Sequence, residues 1–149
     1  MTSKLRTASV NMPSIDWRAA HMVVGAAVQA AQDIGARVNV AVVDASGLQA
    51  AFLRMPGAPL HSVDIAIDKA YTAVSFGLPT HLWTEALQGH SAAVREGIVR
   101  RPRFVAFGGG LPIVEAGQRI GAIGVSGGSE SEDQQIAQAG LDALGLTPA

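Results

Sequence analysis

Four polar residues recur along one stretch of this chain at the spacing of a helix face. They are His61, Asp64, Asp68 and Thr72, three or four positions apart. A carboxylate close to an imidazole can orient it or tune it as a general base, which makes His61 and Asp64 candidate catalytic groups. Thr72 adds a hydroxyl to the same face as a ligand contact. The plainer reading is a solvated face whose acids, Asp68 above all, pair outward. Lys69 lies beside the apolar side of this segment. There it can act as a base, anchor a carboxylate or form a Schiff base, or simply lay its stem over apolar surface. Arg54 closes an apolar run and opens a Met-Pro-Gly-Ala-Pro loop, a good position for gripping an anion.

Other cations are concentrated further on. Arg95, Arg100, Arg101 and Arg103 fall within nine residues and can either funnel a small carboxylate or form a solvated basic loop. The four histidines, His21, His61, His81 and His90, show no His-x-x-x-His pairing, so no metal site is expected. There is no nucleophile elbow. Gly108-Gly109-Gly110 is followed by a proline and a strand-like run. Gly127-Gly128-Ser129 does open a helix, but that helix carries three acids in its first turn. Neither suits a phosphate cradle. Ser129 and Glu132 form a capping box.

The elements that must position these groups follow from periodicity. The first helix is capped by Ser14 or Asp16 and runs to about Ile34, with Ile15, Ala19, Val23, Ala26, Ala27, Ala30 and Ile34 on its apolar side. Residues 38–44 read as a covered central strand. Asp-Ala-Ser-Gly at 44–47 turns the chain into a second strand over 48–53. A helix over 62–76 and a shorter one over 80–88 follow, and an irregular segment leads to residue 103. The C-terminal part reads as a strand at 103–107, the glycine corner, a short strand, a hairpin turn, a long strand over 119–126 and a final helix. The expectation is therefore α+β: a five-stranded antiparallel sheet with packed helices, similar to the profilin/roadblock architecture. Residues 1–13 are expected to form a flexible arm and 14–149 one domain.

Composition narrows the partners. Of 149 residues, 48% are apolar and only 15% charged, which favours a folded core and apolar surface available for self-association into a homo-oligomer. A net charge of −1 argues against nucleic acid. The absence of cysteine excludes disulfides and thiolate chemistry and is compatible with the cytoplasm. No apolar leader or ~20-residue apolar span is visible, so no membrane partner is expected.

Four ordered motifs carry a family resemblance. They are Val-Ala-Val-Val-Asp-Ala-Ser-Gly at 40–47 with Leu-Arg-Met-Pro-Gly-Ala at 53–58, Ser-Val-Asp-Ile-Ala-Ile-Asp-Lys-Ala-Tyr-Thr-Ala at 62–73, Phe-Gly-Gly-Gly-Leu-Pro-Ile at 107–113, and Gly-Ala-Ile-Gly-Val-Ser-Gly-Gly at 121–128. Over residues 14–144 the chain resembles the small-protein family named for GlcG and HbpS, whose members are often labelled haem-binding or haem-degrading and which includes the C-terminal domain of PduO-type proteins. The resemblance implies a profilin-like fold, frequent oligomers and, in some members, binding of haem or a corrinoid. With haem as the ligand, His21 on the first helix is a candidate axial ligand, the plainer reading being a surface or packing residue. Two departures stand out. Pro56 replaces an acid found in many relatives, and residues 90–102 replace an aromatic, glycine-rich segment.

Two ligand-directed functions are open at this level, beside a third, an oligomeric scaffold with no ligand. One is a binding protein for haem or a related tetrapyrrole. The other is a small isomerase, tautomerase or lyase acting on a carboxylate, with Lys69 or His61 as base and Arg54 as anchor. The expected pocket for an anionic ligand is bounded by the 54–58 loop, by His61, Asp64 and Lys69, and by the corner at Gly108, Gly109 and Gly110.

Overall fold

The computed structural model describes residues 6–146. Of the expected arm, residues 1–5 lie outside the described residues, and 6–13 carry no helix or strand and are exposed. The chain then enters α1 (Trp17–Asp33), capped by the Asp16 side chain, which accepts from the Arg18 N–H. A hairpin follows, β1 (Asn39–Asp44) and β2 (Gln49–Arg54), its turn closed by Asp44 Oδ1 accepting from the N–H groups of Ser46 and Leu48. Next come α2 (Ser62–Phe76), a 3₁₀ turn (Thr80–Leu82), α3 (Trp83–Gln88) and α4 (Ala92–Ile98). A second hairpin, β3 (Gly110–Glu115) and β4 (Gln118–Ser126), leads to α5 (Glu130–Asp142), where the Ser129–Glu132 capping box forms in full.

The sheet is wholly antiparallel, in the order β2-β1-β4-β3, and has four strands where the sequence suggested five. The missing one is residues 103–107. Arg103 adopts φ 68°, in the left-handed region, which ends any extended run at its start. Its carbonyl accepts from Thr72 Oγ1 at 2.9 Å, and the Val105 N–H donates to the same hydroxyl at 3.1 Å. One α2 side chain thus satisfies the backbone groups that a ladder would have used. Phe104 turns into an aromatic cluster with Phe76 and Trp83, centroids 6.0 and 4.9 Å away. The segment read as irregular contains α4, opened by Ser91 accepting from the Val94 N–H.

Two cores flank the sheet. Val40, Val42, Ile113, Ile123 and Val125 pack against Val23 and Ala27 of α1 and Ile136 and Ala137 of α5. On the other face Ala41, Val43 and Ala122 meet Ala66, Ala70 and Ala73 of α2. This second layer is thin because α2 lies almost on the strands. A Cβ on Gly124 would fall 2.0 Å from the Ala66 carbonyl oxygen, so no larger residue fits there with the helix in place.

Candidate functional site

Lys69 lies on the sheet side of α2 and is 1% exposed. Its ammonium donates to the Val125 carbonyl at 2.8 Å and to Asp133 Oδ2, in the first turn of α5, at 3.1 Å. It also stands 5.0 Å from the centre of the Phe107 ring. The other Asp133 oxygen accepts the Gly128 N–H at 2.9 Å. Burial pulls the Lys69 pKa down, against the opposing pull of Asp133 and then Glu130. Burial likewise pushes Asp133 up, opposed by Lys69 and the Gly128 and Gly127 N–H groups. Each charge is stabilised chiefly by the other.

The glycine corner serves this pair. A Cβ on Gly109 would sit 2.4 Å from the Val125 carbonyl and 2.7 Å from Lys69 Nζ, so the space beside it holds the ammonium. The Gly108 N–H donates to Glu130 Oε1 at 2.8 Å, and the Gly110 N–H to Thr80 Oγ1 at 2.9 Å. Thr72 is buried and committed to residues 103 and 105. Asp68 pairs with Arg103 Nε at 3.0 Å. Arg54 folds back to donate to the Ala58 carbonyl at 2.6 Å, closing its own loop. His61 precedes α2 without capping it, and His61 and Asp64 are both exposed. Among the described residues no hydrogen bond joins Arg54, His61 or Asp64 to Lys69 or the corner. The enzymatic reading, which needs Lys69 or His61 beside Arg54 on one substrate, gains no support from this arrangement.

His21 stands apart from all of these. Trp17, His21 and Gly25 follow one another at intervals of four along α1, and with Val24 they form one wall of a groove. Residues 50–53 of β2 form the other wall, and the groove encloses about 350 Å³. Ala51 keeps it wide, while Trp17, Val24 and Leu53 supply apolar surface; Phe52 borders it along the strand but packs its ring with the α2-side core. Gly25 leaves it open: a Cβ there would meet nothing within 4 Å. A mid-helix glycine costs about 0.5–1 kcal/mol relative to alanine. Here it leaves a slot one turn beyond an imidazole. Among the described residues no cluster of three or more His, Asp or Glu suited to a metal ion occurs, and no helix is long and apolar enough to cross a membrane.

Sequence reasoning singled out His21 and Lys69 but missed what surrounds them. Trp17 and Gly25 were readable from their four-residue spacing about His21. Asp133 was readable too, as an acid in the stripe Asp133, Ile136, Ala137 and Gly140 that α5 buries.

A four-stranded antiparallel sheet with α2 on one face and α1 and α5 on the other, and a histidine-bearing groove along its β2 edge, defines a small α+β class of domain. The chain belongs to the family described as "Haem degrading protein HbpS-like", whose model matches residues 15–142. It is 34% identical over 144 residues to the corrinoid adenosyltransferase PduO of Citrobacter freundii, covering 95% of this chain but 43% of that protein, so it spans less than half of that relative's length. Among solved structures it is similar to Klebsiella pneumoniae protein ORFY, with a TM-score of 0.85 and 33% identity over 97% of this chain and 100% of that one. It is also similar to PduOC, solved as a haem complex, with a TM-score of 0.82 and 34% identity over 90% of this chain and 97% of that one.

Proposed function

We propose that this protein binds haem or a closely related tetrapyrrole in the groove between α1 and β2, with His21 as the axial ligand. The observation that carries the reading is the placement of an exposed imidazole inside an apolar groove whose neighbouring turn is a glycine with open space above it. The haem complex of a relative with 34% identity and a TM-score of 0.82 supports the same choice of ligand. The residues present suit the group. Trp17, Val24 and Leu53 offer apolar surface to a macrocycle, and His21 offers a ring nitrogen to iron. Bound haem would supply Lewis-acid and one-electron chemistry, and this chain's contribution is to bind, orient and partly shield it. Trp17 is 65% exposed and Leu53 37%, so the groove is a half-open cleft.

The test is a haemin titration followed by the visible spectrum. The intact chain is expected to give a saturable Soret shift of histidine-ligated character, and His21→Ala should lose that character and bind at least about tenfold more weakly, ~1.4 kcal/mol. An unchanged spectrum and affinity in His21→Ala would remove His21 from the site.

A further inference from the structure

A second cleft lies far along the chain from the α1–β2 groove and shares no residue with it. It encloses about 330 Å³ between the C-terminal half of α2 and the 98–104 segment. Tyr71, Phe76 and Phe104 give it aromatic walls, and Arg101 and Arg103 give it a cationic rim. The two arginines are in different states. Arg103 is engaged on every side: its guanidinium stacks 3.7 Å from the Tyr71 ring centre, its Nε holds Asp68 at 3.0 Å, and its carbonyl holds Thr72. Those contacts fix a backbone conformation (φ 68°) that side-chain-bearing residues rarely adopt, a form of local strain that concentrates at functional sites. Arg101, two residues earlier, makes no side-chain hydrogen bond or ion pair among the described residues. Its charge is therefore free while its neighbour's is neutralised. Phe76, although edge-packed against Trp83 at 4.9 Å, remains 51% exposed toward this cleft.

We propose that this cleft binds a small aromatic carboxylate, its ring against Phe76 and Phe104 and its carboxylate paired with the Arg101 guanidinium. The size agrees, since a cavity of about 150 Å³ suffices for benzene and this one has room for a ring and its carboxyl group. The chemistry agrees as well. A planar fork matches a carboxylate in two parallel hydrogen bonds, and partly desolvated aromatic walls favour a flat ring. A neutral analogue would forfeit the Arg101 contact, and an aliphatic acid would forfeit the walls.

Benzoate and the neutral benzyl alcohol, titrated into the ¹⁵N-labelled full chain and followed by amide NMR shifts, test the proposal. Expected are saturable benzoate shifts centred on Thr72, Arg103 and Phe104, with benzyl alcohol at least about tenfold weaker. Arg101→Ala removes a charge-assisted pair and should weaken benzoate about ten- to a hundredfold. Because that exposed side chain makes no hydrogen bond or ion pair among the described residues, the variant should keep its fold. Phe76→Ala should weaken both probes. The assignment is overturned by no saturable shift at millimolar benzoate, by shifts centred on α1 and β2, by equal binding of the two probes, or by unchanged benzoate affinity in Arg101→Ala. His21→Ala should leave benzoate binding unaltered, so a failure here is separable from a failure of the haem reading.

Discussion

Removing one partner of the Lys69–Asp133 pair should be far more damaging than altering both. In Lys69→Met the stem is replaced by apolar bulk, but Asp133, whose side chain is 4% exposed, loses the one cation paired with it among the described residues. Stranding a buried charge in this way costs about 3–5 kcal/mol. For a chain of this size each kcal/mol shifts the melting temperature by about 2–4 °C, so a drop of roughly 6–20 °C is expected. Asp133→Asn strands the ammonium instead while keeping an acceptor for the Gly128 N–H. The double variant, Lys69→Met with Asp133→Asn, leaves no buried charge and should recover at least about 2 kcal/mol of the summed losses. Urea unfolding of the four proteins measures this. The pH dependence adds a sign. Asp133 already titrates above its ordinary value because of burial, and without Lys69 it must titrate higher still. A folded-state carboxyl pKa above the unfolded one means that the folded state binds the extra proton, so stability rises as pH falls through that window. The deficit of Lys69→Met should therefore shrink from neutral pH toward about pH 5. Lys69 itself, lowered by burial, contributes the opposite slope on the alkaline side, where stability rises with pH up to its unfolded value. Additive single losses, or a Lys69→Met variant within about 1 kcal/mol of the parent, would refute the reasoning.

Other consequences can be checked independently. Gly25→Ala should stabilise α1 by about 0.5–1 kcal/mol, whereas Gly25→Leu should fold normally yet block haemin, as absorbance would reveal. Gly124→Ala places a methyl group 2.0 Å from the Ala66 carbonyl and should cost about 1–3 kcal/mol or more in calorimetry. Thr72→Val strands the Arg103 carbonyl and Val105 N–H for about 1–3 kcal/mol, while Thr72→Ser should retain most of the parent stability. Light scattering should show a multiple of 15.3 kDa, consistent with Trp17, Met22 and Leu48 being 65%, 53% and 67% exposed.

What the sequence disclosed was local. The Asp44–Gly47 turn, the Ser129 capping box and the covered strand at 39–44 are each written within a few residues, and each appears where expected. The face of α1 was less legible. In a run rich in alanine the apolar stripe can be drawn in several ways, and the buried one is Ala20, Val23, Val24, Ala27 and Ala31, leaving Ile34 40% exposed. The strand expected at 103–107 failed because its backbone partners are a threonine hydroxyl some thirty residues away, not a neighbouring strand. The partner of Lys69 lies 64 residues on, a separation that no periodicity encodes. The candidate groups were thus legible as types, and their company was not.

The alanine layer under α2 implies an order of events when the molecule loosens. Ala66, Ala70 and Ala73 bury little hydrocarbon, so transfer from water alone holds this helix weakly. What keeps it seated is closeness of fit over Gly124, its Thr72 and Phe76 contacts to the 103–105 segment, and the tether through Lys69 to the opposite layer. Amide hydrogen exchange should then find α2 and the start of α5 opening as one cooperative unit, because neither can leave without stranding the other's charge. Two helices whose alanines and isoleucine belong to separate cores, joined by an ion pair, would breathe together.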